Sequence, residues 1–116
     1  KDYMKKILKQ ITDLGFYIAT PETTVITSTN YPTWYETPAI PIKVDDPLAA
    51  QAALYQAALE AYLESGANAF GFGDMSDKFS WFMYHGGNAD AMVLDKSNNP
   101  KPAYYALLKT LYKYVA

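Results

Sequence analysis

The stretch Glu64–Trp81, ESGANAFGFGDMSDKFSW, decides the fold class of this chain. It opens with Ser65-Gly66, a pair that ends a helix because glycine adopts the left-handed conformation at low cost. The apolar run Ala67–Gly73 then predicts a short strand buried on both sides, with glycines where neighbouring groups approach closely. From Asp74 to Asn99 the sequence predicts a loop, interrupted by one short apolar run.

Helical patterns lie on both sides of this strand. Upstream, Asp46-Pro47 marks a helix start, with a capping residue followed by proline at the first helical position. The predicted helix runs to about Glu64. The apolar face of this helix comprises Leu48, Ala52, Tyr55, Leu59 and Tyr62. Downstream, Pro100-Lys101-Pro102 precedes a last helix. The predicted inner face of the last helix comprises Tyr104, Leu107, Leu108, Leu111 and Val115.

The N-terminal segment Asp2–Leu14 predicts a further amphipathic helix, with Asp2 as its cap and Gly15 just past its end. Its apolar residues recur at helical spacing: Met4, Ile7, Leu8, Ile11 and Leu14. Two β-prone runs follow, Phe16–Thr20 and Thr23–Thr29, separated by a proline. One of them is expected to be a buried strand, and periodicity does not choose between them.

The predicted order is helix, strand, helix, strand, helix, which indicates an α/β fold with parallel strands and helical crossovers. The proline-rich stretch Asn30–Asp46 is expected to be a long surface loop. Two parallel strands cannot bury themselves, because a parallel sheet needs cover on both faces. Either the missing strands come from elsewhere, or the chain assembles with copies of itself.

Composition excludes several classes of function. The formal charge of -2 offers no basic field for phosphate backbones, so nucleic-acid binding is not expected. No apolar run reaches the roughly 20 residues of a membrane helix. The chain has no cysteine and a single histidine, so neither a thiolate nor a multi-histidine metal site is expected, and no cofactor is implied. Aromatic residues make up 16% of the chain and suit both a core and sugar stacking.

Four segments from Gln51 to Tyr105 carry a family resemblance. They are the helix start Gln51–Tyr55 (QAALY), the segment Phe72–Trp81 (FGDMSDKFSW), the triplet Val93–Asp95 (VLD) and Asn99–Leu107 (NPKPAYYAL). In this order they resemble the C-terminal region of glycoside hydrolase family 10, the endo-β-1,4-xylanases. The resemblance implies a partial (β/α)8 TIM barrel, with residues 1–116 forming the last two βα units and the helix before them.

The family resemblance also implies a catalytic residue. The family carries its nucleophile in a pattern like ITELD a few residues after a helix-ending glycine, and an ungapped alignment from Gly15 puts Glu22 there. A rival alignment, with the strand at Ile26–Asn30, puts Ser28 at that position instead. A solvated loop carboxylate is the alternative interpretation of Glu22. The acid/base glutamate of the family lies on an earlier strand, so this chain by itself is expected to be inactive.

The resemblance extends to sugar contacts. Trp81 matches the tryptophan that packs on the sugar near the cleavage point, although an indole can also close the barrel mouth. Trp34 and Tyr35 on the proline-rich loop, and His85 beside two glycines, are further candidate substrate contacts, with packing or no role as their alternatives. Asp77-Lys78 is expected to be a structural pair or a hydrogen-bonding corner.

Two residues depart from the family pattern. Gly73 stands where the family has a tryptophan, and the aspartate two residues past the nucleophile is Thr24, or Asn30 in the rival alignment. The expected parent is a secreted hydrolase of β-1,4-xylan or a related plant polysaccharide. An inactive carbohydrate-binding homologue and a self-associating structural module are the alternatives.

Overall fold

The computed structural model describes residues 1–27, 45–81 and 90–115. The described residues form three helices and two short strands, which alternate in the predicted order. They are α1 (Asp2–Asp13), β1 (Ala19–Thr20), α2 (Pro47–Ser65), β2 (Ala69–Phe70) and α3 (Pro102–Val115). The order confirms the α/β prediction for this part of the chain.

Helix α1 ends as predicted but does not begin as predicted. Gly15 has a φ of 84°, the left-handed conformation that suits glycine just past a helix end. The N-cap is Lys1, and no side chain caps the first turn. The prediction of Asp2 as the cap was therefore wrong, because Asp2 is itself the first helical residue. Its carboxylate still lies in the first turn, where a negative charge interacts favourably with the helix dipole.

Helix α2 has both predicted ends. The Asp46 side chain accepts a hydrogen bond of 3.0 Å from the Ala49 N–H, and Pro47 occupies the start of the helix. At the other end Gly66 has a φ of 78° and its N–H bonds the Tyr62 carbonyl. Such caps satisfy backbone groups that have no partner within the helix.

Strands β1 and β2 pair in parallel, with Ala19 opposite Ala69 and Thr20 opposite Phe70. Of the two β-prone runs, the first contains the strand. In the second run, residues 23–27 form no strand and the remainder lies outside the described residues. The prediction that Ala67–Gly73 is buried on both sides was wrong, since Ala69 and Phe70 are only half-buried.

The core lies between α2, α3 and the loop before α3. Its buried residues are Tyr55, Leu59, Val93, Ala103 and Leu107. The ring of Phe70 packs edge-on against Tyr62 at 5.3 Å and against Phe72 at 5.6 Å, measured between ring centroids. Burial of each large apolar side chain contributes about 1.5–3 kcal/mol. The two long helices thus anchor the strand that leads into the loop from Asp74.

A polar network joins the three helices on the side away from this loop. Lys1 Nζ lies 2.9 Å from Glu60 and 3.0 Å from Glu64, and Lys5 Nζ also lies 3.0 Å from Glu64. The Tyr114 hydroxyl of α3 donates to the same Glu64 carboxylate. Glu64 of α2 therefore binds groups from α1 and α3 together.

The predicted apolar faces are only partly covered. On α1, Leu8 is buried, whereas Leu14 is 75% exposed. On α3, Leu107 is buried, whereas Leu111 is 41% and Val115 is 79% exposed. The helical periodicity predicted for α1 and α3 was correct. The prediction that the α3 residues form an inner face was wrong for Leu111 and Val115, because no described element packs over them.

Candidate functional site

Glu22 lies just past the carboxyl end of β1. The strand ends at Thr20, whose hydroxyl donates a hydrogen bond of 3.0 Å to the Glu22 carbonyl and so shapes the turn through Pro21. The Glu22 residue is exposed. Because β1 and β2 are parallel, their carboxyl ends lie at the same edge, and the loop after β2 begins beside Glu22.

The Trp81 indole meets the Glu22 carboxylate at this edge. Its Nε1–H donates a hydrogen bond of 3.1 Å to Oε1 of Glu22, across 59 positions of sequence. The backbone N–H of Trp81 in turn donates to Oδ2 of Asp74 at 3.0 Å.

Two glycines after β2 make this approach possible. A Cβ on Gly71 would lie 2.7 Å from the Thr20 carbonyl oxygen and 3.1 Å from that of Pro21. A Cβ on Gly73 would lie 2.7 Å from Cδ and 2.9 Å from Oε1 of Glu22. Gly71 therefore allows close packing on the β1 backbone, and Gly73 leaves the space that the Glu22 side chain fills.

Helix α2 holds the segment that follows Glu22. The Gln51 amide Nε2 donates to the carbonyls of Val25 at 2.9 Å and Asp90 at 2.8 Å. The Tyr55 hydroxyl accepts from the Val25 N–H at 3.3 Å and donates to the Ala91 carbonyl at 2.7 Å. Burial raises the pKa of Tyr55 to about 12, so its hydroxyl keeps the proton that it donates.

The buried ion pair between Lys101 and Asp77 holds the backbone next to this site. Lys101 Nζ lies 2.9 Å from Oδ2 of Asp77 and donates to the Asp90 carbonyl at 2.7 Å. The other carboxylate oxygen of Asp77 accepts from the Met92 N–H at 2.8 Å. Met92 and Ala91 form the small cluster against which Trp81 packs. The two motif segments around Asp77 and Lys101 thus meet beneath the indole.

Asp77 and Lys78 do not pair with each other. The predicted hydrogen-bonding corner is present, since the Lys78 N–H donates to the Ser76 hydroxyl at 3.2 Å and Asp77 accepts the Met92 N–H. Asp77 points inward and is 4% exposed, and its cationic partner is Lys101. Lys78 is exposed, with its ammonium 5.2 Å from the centroid of the Phe79 ring. Adjacent residues in this turn point to opposite sides, so one of them faces the core and the other faces solvent.

Of the predicted site residues, the structure brings together Glu22 and Trp81. Trp34, Tyr35 and His85 lie outside the described residues, as do Ser28 and Asn30 of the rival alignment. Thr24, the departure that goes with Glu22, has its hydroxyl oxygen buried, with no hydrogen-bond partner among the described residues. The roles assigned to all of these residues stay predictions.

Sequence reasoning did not identify the residues that hold the site. Gln51 and Tyr55 were noted as part of a motif, and Asp74 only as the start of a loop. One signal was present, since Gln51 and Tyr55 are four residues apart and so share a helix face. Nothing local indicated that Asp74 bonds Trp81, because that contact depends on how the loop folds back.

The described part of the chain shows neither a cluster of metal ligands nor a membrane-spanning helix. No group of three or more histidine, aspartate or glutamate side chains is arranged there to hold a metal ion. No helix in that part is both long enough and apolar enough to cross a bilayer.

Comparison with known proteins gives a family and a fold. The model of glycosyl hydrolase family 10 matches residues 1–110. Xylanase 10B from Thermotoga petrophila RKU-1, solved in complex with xylobiose, is 26% identical with a TM-score of 0.75, over 99% of this chain and 32% of that one. Native xylanase 10B from Thermotoga maritima is 26% identical with a TM-score of 0.71, over 94% and 31%. No curated protein sequence matches the chain significantly.

A third similar structure is the glycosylated endo-β-1,4-xylanase from Gloeophyllum trabeum, with a TM-score of 0.72 at 20% identity, over 92% of this chain and 31% of that one. The chain thus spans about a third of the length of these structures. Such xylanases belong to a TIM-barrel family, whereas the described residues hold two parallel strands and no closed barrel. The match over residues 1–110 shows that the chain belongs to glycosyl hydrolase family 10.

Proposed function

We propose that residues 1–116 form the C-terminal part of a retaining glycoside hydrolase and contain its nucleophile, Glu22. The observation that carries this proposal is the carboxylate of Glu22 at the carboxyl end of a parallel strand, 3.1 Å from the Trp81 indole nitrogen. Barrel enzymes assemble their active sites at this end of the strands. On this proposal the chain comprises the last two βα units of the barrel and the helix before them.

In the proposed reaction a Glu22 carboxylate oxygen attacks the anomeric carbon and displaces the leaving sugar, giving a covalent glycosyl-enzyme. Water then attacks the same carbon and releases Glu22. A second carboxyl group, about 5–5.5 Å from the first, first protonates the leaving oxygen and later accepts a proton from the water. We assign this second group to an earlier barrel strand outside residues 1–116, so that the chain alone is inactive.

Trp81 has two roles in this proposal. Its Nε1–H holds Oε1 of Glu22, and the face of the indole offers an apolar surface to a pyranose ring. Trp34, Tyr35 and His85 are proposed as further contacts to the sugar chain. The substrate is β-1,4-xylan or a related plant polysaccharide, and the xylobiose bound to the Thermotoga petrophila relative supports a xylose-based one.

The partner of this chain is proposed to be the remainder of the barrel, with copies of itself as the alternative. An apolar groove of about 360 Å³ lies between α2, β2 and α3, where Tyr62, Phe70 and Leu108 contribute to its lining. Together with the exposed apolar residues of α3, this groove supports the proposal that another element covers this face. We place the complete enzyme outside the cell, where its polymeric substrate is found.

The test is Glu22→Gln in the full-length natural polypeptide that contains these residues, with Asp45→Asn, an exposed carboxylate, as the control. Xylan hydrolysis is followed by reducing-end release, and the anomer of the first product by NMR. We expect Glu22→Gln to lower kcat by about a thousandfold or more and Asp45→Asn to leave it unchanged. The wild-type product retains the β configuration. A Glu22→Gln variant with wild-type kcat, or a product of inverted configuration, contradicts the proposal.

An inactive carbohydrate-binding homologue is the second candidate, and the exposed position of Gly73 favours it, since it leaves the surface beside Glu22 without a side chain. Xylan binding by the full-length polypeptide without any reducing-end release supports this candidate. The exposed apolar residues of α3 favour a third, a self-associating module. A compact oligomer of the natural product with no affinity for xylan supports that one.

A further inference from the structure

The main chain of Trp81 is tied to a carboxylate of its own loop. Asp74 and Trp81 both follow β2 and are seven residues apart, and Oδ2 of Asp74 accepts the Trp81 N–H at 3.0 Å. Asp74 is partly buried. A hydrogen bond from a backbone N–H to a charged acceptor is stronger than one to a neutral acceptor, so this bond fixes the position of the Trp81 backbone nitrogen.

The indole is held at a second place. Trp81 packs against Ala91 and Met92, each 1% exposed. Met92 is itself held, because its N–H donates to Oδ1 of Asp77 at 2.8 Å. The hydrogen bond to its backbone nitrogen and the packing of its side chain both restrict Trp81, and its Nε1–H points toward Glu22.

Glu22, by contrast, depends on its neighbours for its orientation. It is exposed, and a glutamate side chain turns about three bonds when nothing restrains it. Gly73 leaves room for its carboxylate, and the Trp81 indole supplies a hydrogen bond that selects one position within that room. A reacting group must be held within roughly half an ångström of its productive geometry to be effective.

We propose that Asp74 is a positioning residue that orients the Glu22 carboxylate through Trp81. Asp74 bonds the Trp81 backbone, Trp81 bonds Oε1 of Glu22, and Asp74 itself contacts no reacting atom. The catalytic consequence rests on the proposed function of Glu22, whereas the coupling of the three residues is independent of it.

The coupling is measured on the Trp81 indole N–H resonance, in the full-length natural polypeptide with ¹⁵N-labelled tryptophan. Trp81→Phe assigns the signal. In the wild type we expect this resonance to shift as the pH is lowered into the acid range, because its N–H donates to the Glu22 carboxylate, and in Glu22→Gln the shift is lost. Asp74→Ala removes the shift in the folded protein. Asp74→Asn keeps an acceptor oxygen and restores it, and Asp45→Asn serves as the matched control.

Kinetics provides the second measurement. Asp74→Ala lowers kcat by on the order of tenfold to a hundredfold, the effect of a misplaced reacting group, while KM stays within about twofold. Asp74→Asn recovers most of the kcat. If Asp74→Ala does not fold, Asp74→Glu takes its place, because it keeps the charge and displaces the oxygen.

Two results overturn the inference. One is a Trp81 resonance whose pH response is the same in Glu22→Gln as in the wild type. The other is a folded Asp74→Ala protein that keeps the wild-type response. A third result is a Trp81 resonance that responds to changes at Glu22 and Asp74 as expected, in a polypeptide that hydrolyses no glycan. That result supports the inference and contradicts the proposed function, so the two failures are distinguishable.

Discussion

The Lys101 ammonium lies 2.9 Å from Oδ2 of Asp77, and both side chains are buried although 24 residues separate them in sequence. The pair joins the start of α3 to the loop after β2. The same two residues bind the Asp90 carbonyl and the Met92 N–H, so they fix the strip of backbone on which Trp81 packs.

Removing one member of this pair is expected to destabilise the protein strongly. Lys101→Met leaves the Asp77 charge buried without its cation, which costs about 3–5 kcal/mol. The measurement is the apparent free energy of unfolding in urea, with exposed Lys96→Met as the matched control. The double variant Asp77→Leu/Lys101→Met loses less than the sum of the single losses. Equal stability of Lys101→Met and Lys96→Met contradicts the prediction.

Alanine substitutions at the two glycines after β2 are expected to have different effects: Gly71→Ala lowers stability, and Gly73→Ala lowers kcat. Gly71→Ala forces a Cβ against the backbone carbonyls of Thr20 and Pro21, which costs about 1–3 kcal/mol. Gly73→Ala meets only the flexible Glu22 side chain, so stability changes by less than about 0.5 kcal/mol. The displaced carboxylate lowers kcat about tenfold. Thermal unfolding and xylan hydrolysis of both variants, made in the full-length natural polypeptide, check this, and a Gly73→Ala protein with unchanged kcat contradicts it.

Tyr55→Phe is expected to loosen the segment after Glu22. The change removes the hydroxyl that donates to Ala91 and accepts from Val25, and so leaves a buried carbonyl without its donor. The expected loss is about 1–3 kcal/mol. Tyr105→Phe, at a residue that is 58% exposed, provides the control and changes stability little. Amide hydrogen exchange at Val25 also accelerates in Tyr55→Phe, and unchanged exchange there shows that the hydroxyl does not hold the segment.

The helix network is expected to weaken in acid. The Tyr114 hydroxyl, followed by the Lys1 and Lys5 ammonium groups, lowers the pKa of Glu64 from 4.5 to about 2. Because the folded-state pKa lies below the unfolded one, this carboxylate stabilises the fold above about pH 4.5. Its contribution is lost as the pH falls from there toward 2. Unfolding midpoints between pH 2 and 6 check this, and Glu64→Gln flattens the profile in that window. A variant profile parallel to that of the wild type contradicts the assignment.

Much of the fold could be predicted because its signals are local. Gly15 and Gly66 end helices with positive φ, and Asp46 caps α2 through a residue three positions along. Each of these acts within one turn of chain, where sequence alone describes the surroundings. Asp2 shows the limit, since a capping residue type was present and the helix began one residue earlier.

Burial could be predicted less well. The stripes on α1 and α3 have helical periodicity, yet Leu14 and Val115 stay exposed. Periodicity indicates which residues share a face and not whether another element covers it. This chain spans about a third of the length of its structural relatives, so the sequence pattern alone does not show which apolar faces are covered.

By itself, the sequence determined the order of the helices and strands, the helix ends except the start of α1 and, through four motif segments, the family. It also singled out Glu22 and Trp81 as candidates for one site, without indicating the hydrogen bond between them. Tertiary structure alone decided that these two meet, that Asp77 pairs with Lys101 rather than Lys78, and that Gln51 holds Val25. The physical reason is distance along the chain. A contact across 59 residues depends on strand register and helix packing, which no local pattern encodes.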